Sequence, residues 1–543
     1  MKQLVELLKN VKIVKKCGAM PLEITDLAID CKKVKNGGIF IAVRGSAANG
    51  NDYIFDALKN GAALIVSDDE RALKKGIGNF SEKETGLKNR TADAGGEITP
   101  KEESGNYSEN ETQNVCGGEI TPKEESGNYS ENGIEIPYII VEDAREAYAF
   151  IAANYFGNPA AGMRFIGISG TNGKTTIAHM IYHILYSNGI KTGLIGTIGN
   201  IIDGLRGETD MTTPDPYELF AVLKKMRDCG TEVVVSEVSA HAIYLKKINP
   251  IIADVAVFTN CSQDHIDFFK TMEKYAEVKK SYFTKKHARS VVINADDSVG
   301  VEIINGSDAK VISYGIKNPS DVFAINIRLS MAGSGFFANL FDDVEEIRLP
   351  IPGLFNVYNA LAAMTAARLL NISLKDSAES LLSLPEIPGR FNLLTAEKCG
   401  FVIDYAHSPD GLKKILIAAR GITKGRLICV FGCGGNRDKI KRPIMGRVAA
   451  DYGDFTILTS DNPRFEEPED IIRDIENGLK GITDQYMNII DREKAIKKAY
   501  EIAGKNDLIV VAGKGAEDYI DIKGVKYEYG DRRVIEEIIA SER

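Results

Sequence analysis

The stretch GISGTNGKTT, residues 167–176, sits between an apolar run, RFIGIS, and a helical one, TTIAHMIYHILYSNG. Its glycines at 170 and 173 let backbone N–H groups turn toward an anion. Lys174 sets a cation against the outer phosphates of a nucleotide, and the Thr175 hydroxyl can face Mg2+. Position 168 is Ile, so the spacing GxxxxGK[ST] is missed by one glycine, but the mechanics survive. Ile177, Met180, Ile181, Ile184 and Leu185 recur at the spacing of one buried helical face, and Asn188-Gly189 supplies a stop. A strand before and a helix after predict a phosphate-binding loop rather than a chance glycine turn.

Two later apolar runs end in side chains suited to metal and phosphate. VVVSEVSAHA delivers Glu237, and IADVAVFTNCSQDHIDFF delivers Asp264 and His265. In an open parallel sheet ligands collect at the carboxyl ends of strands, so these residues can face the loop. One such residue alone is more often structural; two strand ends beside a phosphate loop favour a site. MEKYAEVKKSYF adds Lys279 and Lys280. A lysine near its reference pKa of about 10.4 repels a cation. It becomes a ligand only by losing its charge and taking up CO2 as a carbamate, and most lysines on such a helix are solvated.

The elements that must position these residues read as α/β throughout. At 543 residues the chain exceeds what one core serves, so several domains are expected. GGIFIAVRG and GAALIVSDD predict buried strands around the helix DYIFDALKN; IPYIIVED and AREAYAFIAANYF resume that pattern. GNPAAGM at 157–163 is a linker. Strands and helices alternate from 164 to about 385, EIPGRFN is a hinge, and a fresh series starts at 400 with FVIDYAHS, RLICVFGCGG, DFTILTSDNPR and DLIVVAGKGAED. The expected architecture is three α/β domains: a small N-terminal one over 1–162, a central P-loop-type parallel sheet over 163–387, and a Rossmann-like C-terminal domain over 388–543. GGEITPKEESGNYSEN occurs at 95–110 and again at 117–132, inside a polar stretch over 79–133. Two copies with almost no apolar face predict a disordered insertion in the N-terminal domain rather than a stacked repeat.

Composition excludes some partners. With 67 basic and 76 acidic residues the net charge of −9 gives no footprint for nucleic acid or an anionic membrane surface. No stretch is long and apolar enough to span a bilayer and no cleavable leader is visible, so a soluble, cytoplasmic, monomeric protein is expected. The eight cysteines show no CxxC pairing and read as reduced thiols.

In chain order GTNGKTT, TTPDP, SEVSAHA, FTNCSQDHIDF, YAEVKKSYF, GLFNVYNALAA, PGRFN, DYAHSPDGL, FGCGGNRDKIKRP, TSDNPRFEEP and VAGKGAEDY give a sequence that resembles the Mur ligases of peptidoglycan assembly, over nearly the whole chain apart from the repeat insertion. The resemblance implies that ATP phosphorylates the terminal carboxylate of UDP-MurNAc-L-Ala-D-Glu and that the amine of an incoming amino acid attacks the acyl phosphate, releasing ADP and phosphate. It implies that Gly170, Thr171, Asn172, Gly173, Lys174, Thr175 and Thr176 hold the phosphates. Thr175 and Glu237 would contact one Mg2+, and His265 with a carbamylated Lys279 a second, so that Lys174, Glu237, His265 and Lys279 carry the catalysis. Lys279 takes this role over Lys280 because it stands four residues after the tyrosine of the family's motif. Asn356 and Asn359 would lie near the adenine, Arg390 near the outer phosphate, and Asp404 near the ribose with His407 close by. Cys31, Ser46, Thr212, Thr213, Ser239 and Lys247 correspond to contacts with the UDP-muramoyl peptide.

By the same resemblance the third domain selects the amino acid through Arg437, Asp461, Asn462, Pro463, Arg464, Gly513 and Glu517. An amino acid with two carboxylates and two amines needs guanidinium forks as well as carboxylates. The DNPR form, with Arg464, resembles the branch that adds meso-diaminopimelate. The sequence departs from the family at Ala516, where an imidazole is usual, at Cys31, where serine is usual, and at Leu245, where glutamine is expected. The rivals are a lysine-adding Mur ligase, a folylpolyglutamate or cyanophycin-type synthetase sharing GTNGKTT, and a P-loop ATPase that drives a partner's motion. The arginine of DNPR and the long N-terminal domain speak against the first two, and the charged third-domain pocket against the last.

Overall fold

The computed structural model describes residues 1–45, 48–80, 136–209 and 211–542. Ser46 and the duplicated segment, with its expected disorder, lie outside the described residues. Asn79 and Phe80, assigned to the insertion on composition, instead lie in a helix described over 70–80, where Phe80 meets Phe55 edge-on at 5.9 Å.

The chain divides into two compact units, Met1–Tyr155 and Phe156–Arg543. The first is built on a five-stranded sheet in the order Ile13–Cys17, Tyr138–Val141, Ala62–Ser67, Gly38–Ala42, Leu27–Ala28. Its pairings are parallel except for the antiparallel Ile13–Cys17 edge. Ile39, Phe40 and Ile41 are all fully buried, as expected of a parallel strand covered on both faces. The strands on either side of 81–135 are sheet neighbours, with Ile65 opposite Tyr138.

The second unit contains two large sheets and a two-stranded one, Tyr519–Ile522 with Val525–Glu528. An eleven-stranded one has a parallel centre in which Arg164–Ser169 lies between Val233–Glu237 and Ala253–Phe258. The alternation read from the sequence holds for that centre, but both margins are antiparallel. Gly199–Ile202 with Leu205–Gly207 closes one side, and Val322–Ser330, Gly333–Leu340 and Asp343–Leu349 close the other. Helix Leu354–Arg368 packs on the phosphate-loop helix Lys174–Ser187 and is buried nearly all round, with alanines at 360, 362, 363, 366 and 367 permitting the close approach. The second, six-stranded sheet runs Asn392–Thr395, Cys399–Asp404, Asp507–Ala512, Leu427–Phe431, Phe455–Leu458, Tyr486–Asn488. Asp507–Ala512, Leu427–Phe431 and Phe455–Leu458 are adjacent and parallel, so the loops after them emerge side by side. No described helix is long and apolar enough to cross a membrane, and the seven described cysteines are all free.

Candidate active site

The phosphate loop follows the central strand, and its conformation explains its glycines. Gly170 has φ 149° and a Cβ there would stand 1.8 Å from Thr259 Oγ1; Gly173 has φ 91° and a Cβ would stand 2.7 Å from Asn359 Oδ1. Neither position accepts a side chain without displacing a neighbour. Lys174 curls back over the loop, its amine donating to the carbonyls of Gly170 and Thr171 at 2.9 Å each. Burial lowers the Lys174 pKa, with Glu237 and Asp264 opposing. Thr171, Thr175 and Thr176 are buried, and Asn172 turns its amide toward the second sheet's side of the cleft.

Glu237 ends the neighbouring strand and is fully buried. Its Oε2 accepts from the hydroxyls of Thr175 and Thr197, both at 3.0 Å, and its Oε1 from the Thr197 N–H at 2.8 Å. Arg390, in the segment EIPGRFN, donates to Thr175 Oγ1 at 2.9 Å while its guanidinium lies 4.6 Å over the Tyr405 ring. The residues implied for the muramoyl peptide gather beside this group. Thr212 Oγ1 is 3.0 Å from Thr197 Oγ1; Thr213 donates to the Glu237 carbonyl at 2.9 Å and to Ser239 at 3.3 Å. Lys247 is committed to Asp215 at 2.5 Å. Cys31 is buried in the core of the first unit.

On the other side of the loop, Asp264 is buried between two imidazoles, 3.5 Å from His265 Nε2 and 3.7 Å from His407 Nε2. Burial opposes its ionisation, but the His407 hydrogen bond and the charges around it hold its pKa well below the usual carboxylate range. His265, in the left-handed region at φ 56°, is lowered to about 3 by burial against the pull of Asp264. Lys279 is fully buried; its amine lies 4.4 Å over the Tyr275 ring and donates to Thr171 Oγ1 at 3.3 Å. Burial, then the Lys174 charge, lowers its pKa to about 7. Among the described residues no three His, Cys, Asp or Glu side chains form a ready metal cluster. A cation here would have to be shared among hydroxyl, carboxylate, imidazole and lysine, and the oxygens of Thr175 and Glu237 are hard donors of the kind Mg2+ takes.

A cavity of about 650 Å3 runs from this loop to helix Pro409–Ile422 of the second sheet. Asn356 donates to the Pro352 carbonyl at 2.7 Å and accepts from Asn359 at 3.0 Å, so this buried pair props the start of its helix against Gly173. Asp404 accepts from the backbone N–H groups of Phe391 and Ala406, fixing the EIPGRFN segment to its strand end, and burial raises its pKa. Asp410, which sequence reasoning passed over, links the two halves. Its Oδ2 accepts from Asn172 Nδ2 at 2.8 Å, Ser262 Oγ at 3.1 Å and Lys414 Nζ at 2.7 Å.

The loops of the second sheet bring the remaining candidates together. A Cβ on Gly434 would stand 2.9 Å from Arg464 Nη1 and 3.7 Å from Arg437 Cγ, so the two guanidinium-bearing residues flank that glycine. Arg464 has φ 52°, donates to the Gly435 carbonyl at 3.0 Å and lies 3.6 Å from Asp521. Pro463 packs its carbonyl against Gly435. Asn462 Nδ2 donates to Glu517 Oε2 at 2.8 Å, and Asp461 Oδ2 would be 2.7 Å from a Cβ on Gly513. Underneath, the fully buried Arg442 bonds both Glu466 and Asp474, at 3.0 and 2.9 Å, pinning the loop after Leu427–Phe431 to the one after Phe455–Leu458. Glu466 is held at about 2, chiefly by Arg442. Thr197, Asp410, Arg442 and Lys514 were given no role from sequence; Thr197 stands just after the strand Thr192–Gly196, and the other three lie inside the motifs DYAHSPDGL, FGCGGNRDKIKRP and VAGKGAEDY.

Three family models match the chain: the Mur ligase family catalytic domain over 23–156, the Mur ligase middle domain over 168–367, and the Mur ligase glutamate ligase domain over 389–515. The chain is 42% identical over 521 residues to the UDP-N-acetylmuramoyl-L-alanyl-D-glutamate–2,6-diaminopimelate ligase of Aquifex aeolicus, covering 96% of this chain and 94% of that one. It is 39% identical over 520 residues, 95% of each chain, to the Clostridium botulinum protein of the same name. A solved structure of a ligase with that name superposes with a TM-score of 0.61 at 28% identity, covering 96% of this chain and 95% of the other.

Proposed function

The chain belongs to the Mur ligase family, and on that premise we propose that it joins 2,6-diaminopimelate, in its meso form, to UDP-N-acetylmuramoyl-L-alanyl-D-glutamate, with ATP as co-substrate, in peptidoglycan precursor synthesis. The observation that carries the reading is a single cleft. In it, a phosphate loop on one sheet faces the strand end of another that bears Asp404 and His407, with Asp264 and His407 3.7 Å apart across it; the paired guanidiniums and carboxylates lie on neighbouring loops of that second sheet, tied in through Tyr405, whose hydroxyl is 3.5 Å from Glu517.

A carboxylate is a poor electrophile at neutral pH. In the first step an oxygen of the glutamyl carboxylate attacks the γ-phosphorus of ATP, the bond to the β-phosphate oxygen breaks, and ADP leaves. In the second the diaminopimelate amine attacks the acyl carbon, the carbon–oxygen bond to phosphate breaks, and the amine's proton is lost. The phosphate loop from Gly170 to Thr176 holds the nucleotide, and Lys174 and Arg390 offset charge that moves from one oxygen to another in the transition state. Asn356 and Asn359 would border the adenine, and Asp404 and His407 the ribose. Thr212, Thr213, Ser239 and Lys247 would bind the muramoyl peptide, with Cys31 and Ser46 at the uridine end.

Mg2+, when bound, screens the phosphates and polarises them as a Lewis acid. Thr175 and Glu237 would hold one ion, and His265 with Lys279 a second. An amine brought to about 7 is free of its proton in about half of the molecules at neutral pH, the state that can add CO2, and Lys174 is the nearby cation that would balance the resulting carbamate. In the third domain Arg437 and Arg464 would take the distal carboxylate, and Asp461, Asn462 and Glu517 an amine, with Pro463 and Gly513 shaping the walls.

Phosphate release in the presence of UDP-MurNAc-dipeptide and either meso-diaminopimelate or lysine tests the reading. Release with diaminopimelate is expected. Release that needs no amino acid would overturn the ligase assignment, and release with lysine only would overturn the specificity.

A further inference from the structure

Lys514 stands in the GKGAE loop among the residues assigned to the amino acid, yet its side chain has 0% exposure. Its ammonium donates to Asn462 Oδ1 at 2.9 Å and to the Tyr519 carbonyl at 2.6 Å, and lies 3.4 Å from Glu517 Oε2. Asn462 Oδ1 also accepts from the Asp521 N–H at 2.9 Å. Two donors on one amide oxygen fix the flip of that amide, because the NH2 end could not occupy the same place. The flip turns Nδ2 toward Glu517 Oε2, so this oxygen carries both the amide and the ammonium, while Oε1 has the Tyr405 hydroxyl at 3.5 Å. The ammonium also sets a positive charge against Glu517, beside the pair of Arg464 with Asp521.

We propose that Lys514 is a positioning and specificity-determining residue for the amino-acid substrate, acting through Asn462 and Glu517. It rests on the reading that these two residues bind that substrate. Lys514 orients the donor of Asn462 and takes up one oxygen of Glu517, leaving the other for the substrate amine. Its charge keeps the pocket matched to an amino acid of no net charge, diaminopimelate, over one of net positive charge, lysine. Burial makes this a low-dielectric contact, where an unbalanced charge is felt most strongly.

The test is steady-state kinetics of wild type, Lys514→Met, Asn462→Ala, Glu517→Ala and the Lys514→Met/Asn462→Ala double variant, with meso-diaminopimelate, lysine and ATP varied in turn. Lys514→Met is expected to raise the KM for diaminopimelate about 10- to 100-fold. The KM for ATP should stay within about threefold, and the diaminopimelate-to-lysine ratio of kcat/KM should fall at least about tenfold. The double variant is expected to lose less than the product of the single losses, since both act on one contact. An unchanged ratio, or KM values for ATP and diaminopimelate that rise together, would overturn the proposal. If Asn462→Ala and Glu517→Ala leave diaminopimelate binding unchanged, the pocket reading itself fails. If they weaken it and Lys514→Met does not, only the role of Lys514 fails. Should the Met variant not fold, Lys514→Gln reads the charge alone: the same fall in the ratio supports the proposal and an unchanged ratio overturns it.

Discussion

The two walls of the cleft treat buried charge in opposite ways. Around the phosphate loop burial drives the basic groups toward their neutral forms: Lys174 is lowered, Lys279 falls to about 7 and His265 to about 3, while Asp264 among them stays ionised. On the amino-acid side three cations with fully buried side chains each have a carboxylate, Arg442 with Glu466 and Asp474, Arg492 with Asp531, Lys514 with Glu517. Arg442 and Arg492 are raised despite burial, and Glu466 is held at about 2. The difference teaches what each wall is for. On the proposed function the first would have its electrostatics completed by triphosphate and Mg2+, and the second, whose fully buried cations are already paired, would recognise a zwitterion by geometry.

The comparison breaks first at Lys279. Lys279→Ala is expected to lower turnover about 10^3-fold, with no recovery on added bicarbonate, and to remove a carbamate 13C resonance expected in wild type under labelled bicarbonate. Full activity, or a resonance that survives, would take Lys279 out of the unfinished wall. Next comes Arg492, whose side chain and that of Asp531 are both fully buried at 2.7 Å. Arg492→Met leaves a carboxylate unpaired and should cost about 3–5 kcal/mol in urea unfolding, whereas a loss under about 1 kcal/mol would show the second wall is not built on its pairs. Arg464→Ala should raise the KM for diaminopimelate about 10-fold and leave that for ATP within about threefold; equal changes would remove the division of labour.

The smallest effect concerns pH. The Glu466 pKa is depressed in the folded state, so its stabilisation is present above the unfolded value of about 4.3 and is lost as pH falls through the folded value. The melting midpoint should fall between pH 5 and about pH 2, and Glu466→Gln should flatten part of that slope. An unchanged slope would assign the acid sensitivity to other carboxylates.

Legibility followed the range of the interactions. The loop at 167–176, its helix and the strand end bearing Glu237 were readable because glycine, lysine and apolar spacing act within a few residues; His265 lies beyond its strand, which stops at Phe258, at the start of the helix Ile266–Phe269. The antiparallel margin over 322–349 was not read, although Gly333–Leu340 alternates buried and half-buried positions from Phe336 onward, the period-two mark of a strand. Thr197, Asp410 and Lys514 were missed because their meaning lies in partners 40, 238 and 52 residues away. A phosphate loop announces itself; a carboxylate that meets it from another sheet does not.

That last contact has a thermodynamic corollary. Asp410 Oδ2 accepts from the nucleotide-facing loop and belongs to the helix that follows the first long strand of the amino-acid sheet. Whatever cross-talk passes through this shared oxygen is symmetric: the factor by which nucleotide alters amino-acid affinity equals the factor by which the amino acid alters nucleotide affinity. Titrating either ligand against a saturating amount of the other measures the same quantity twice.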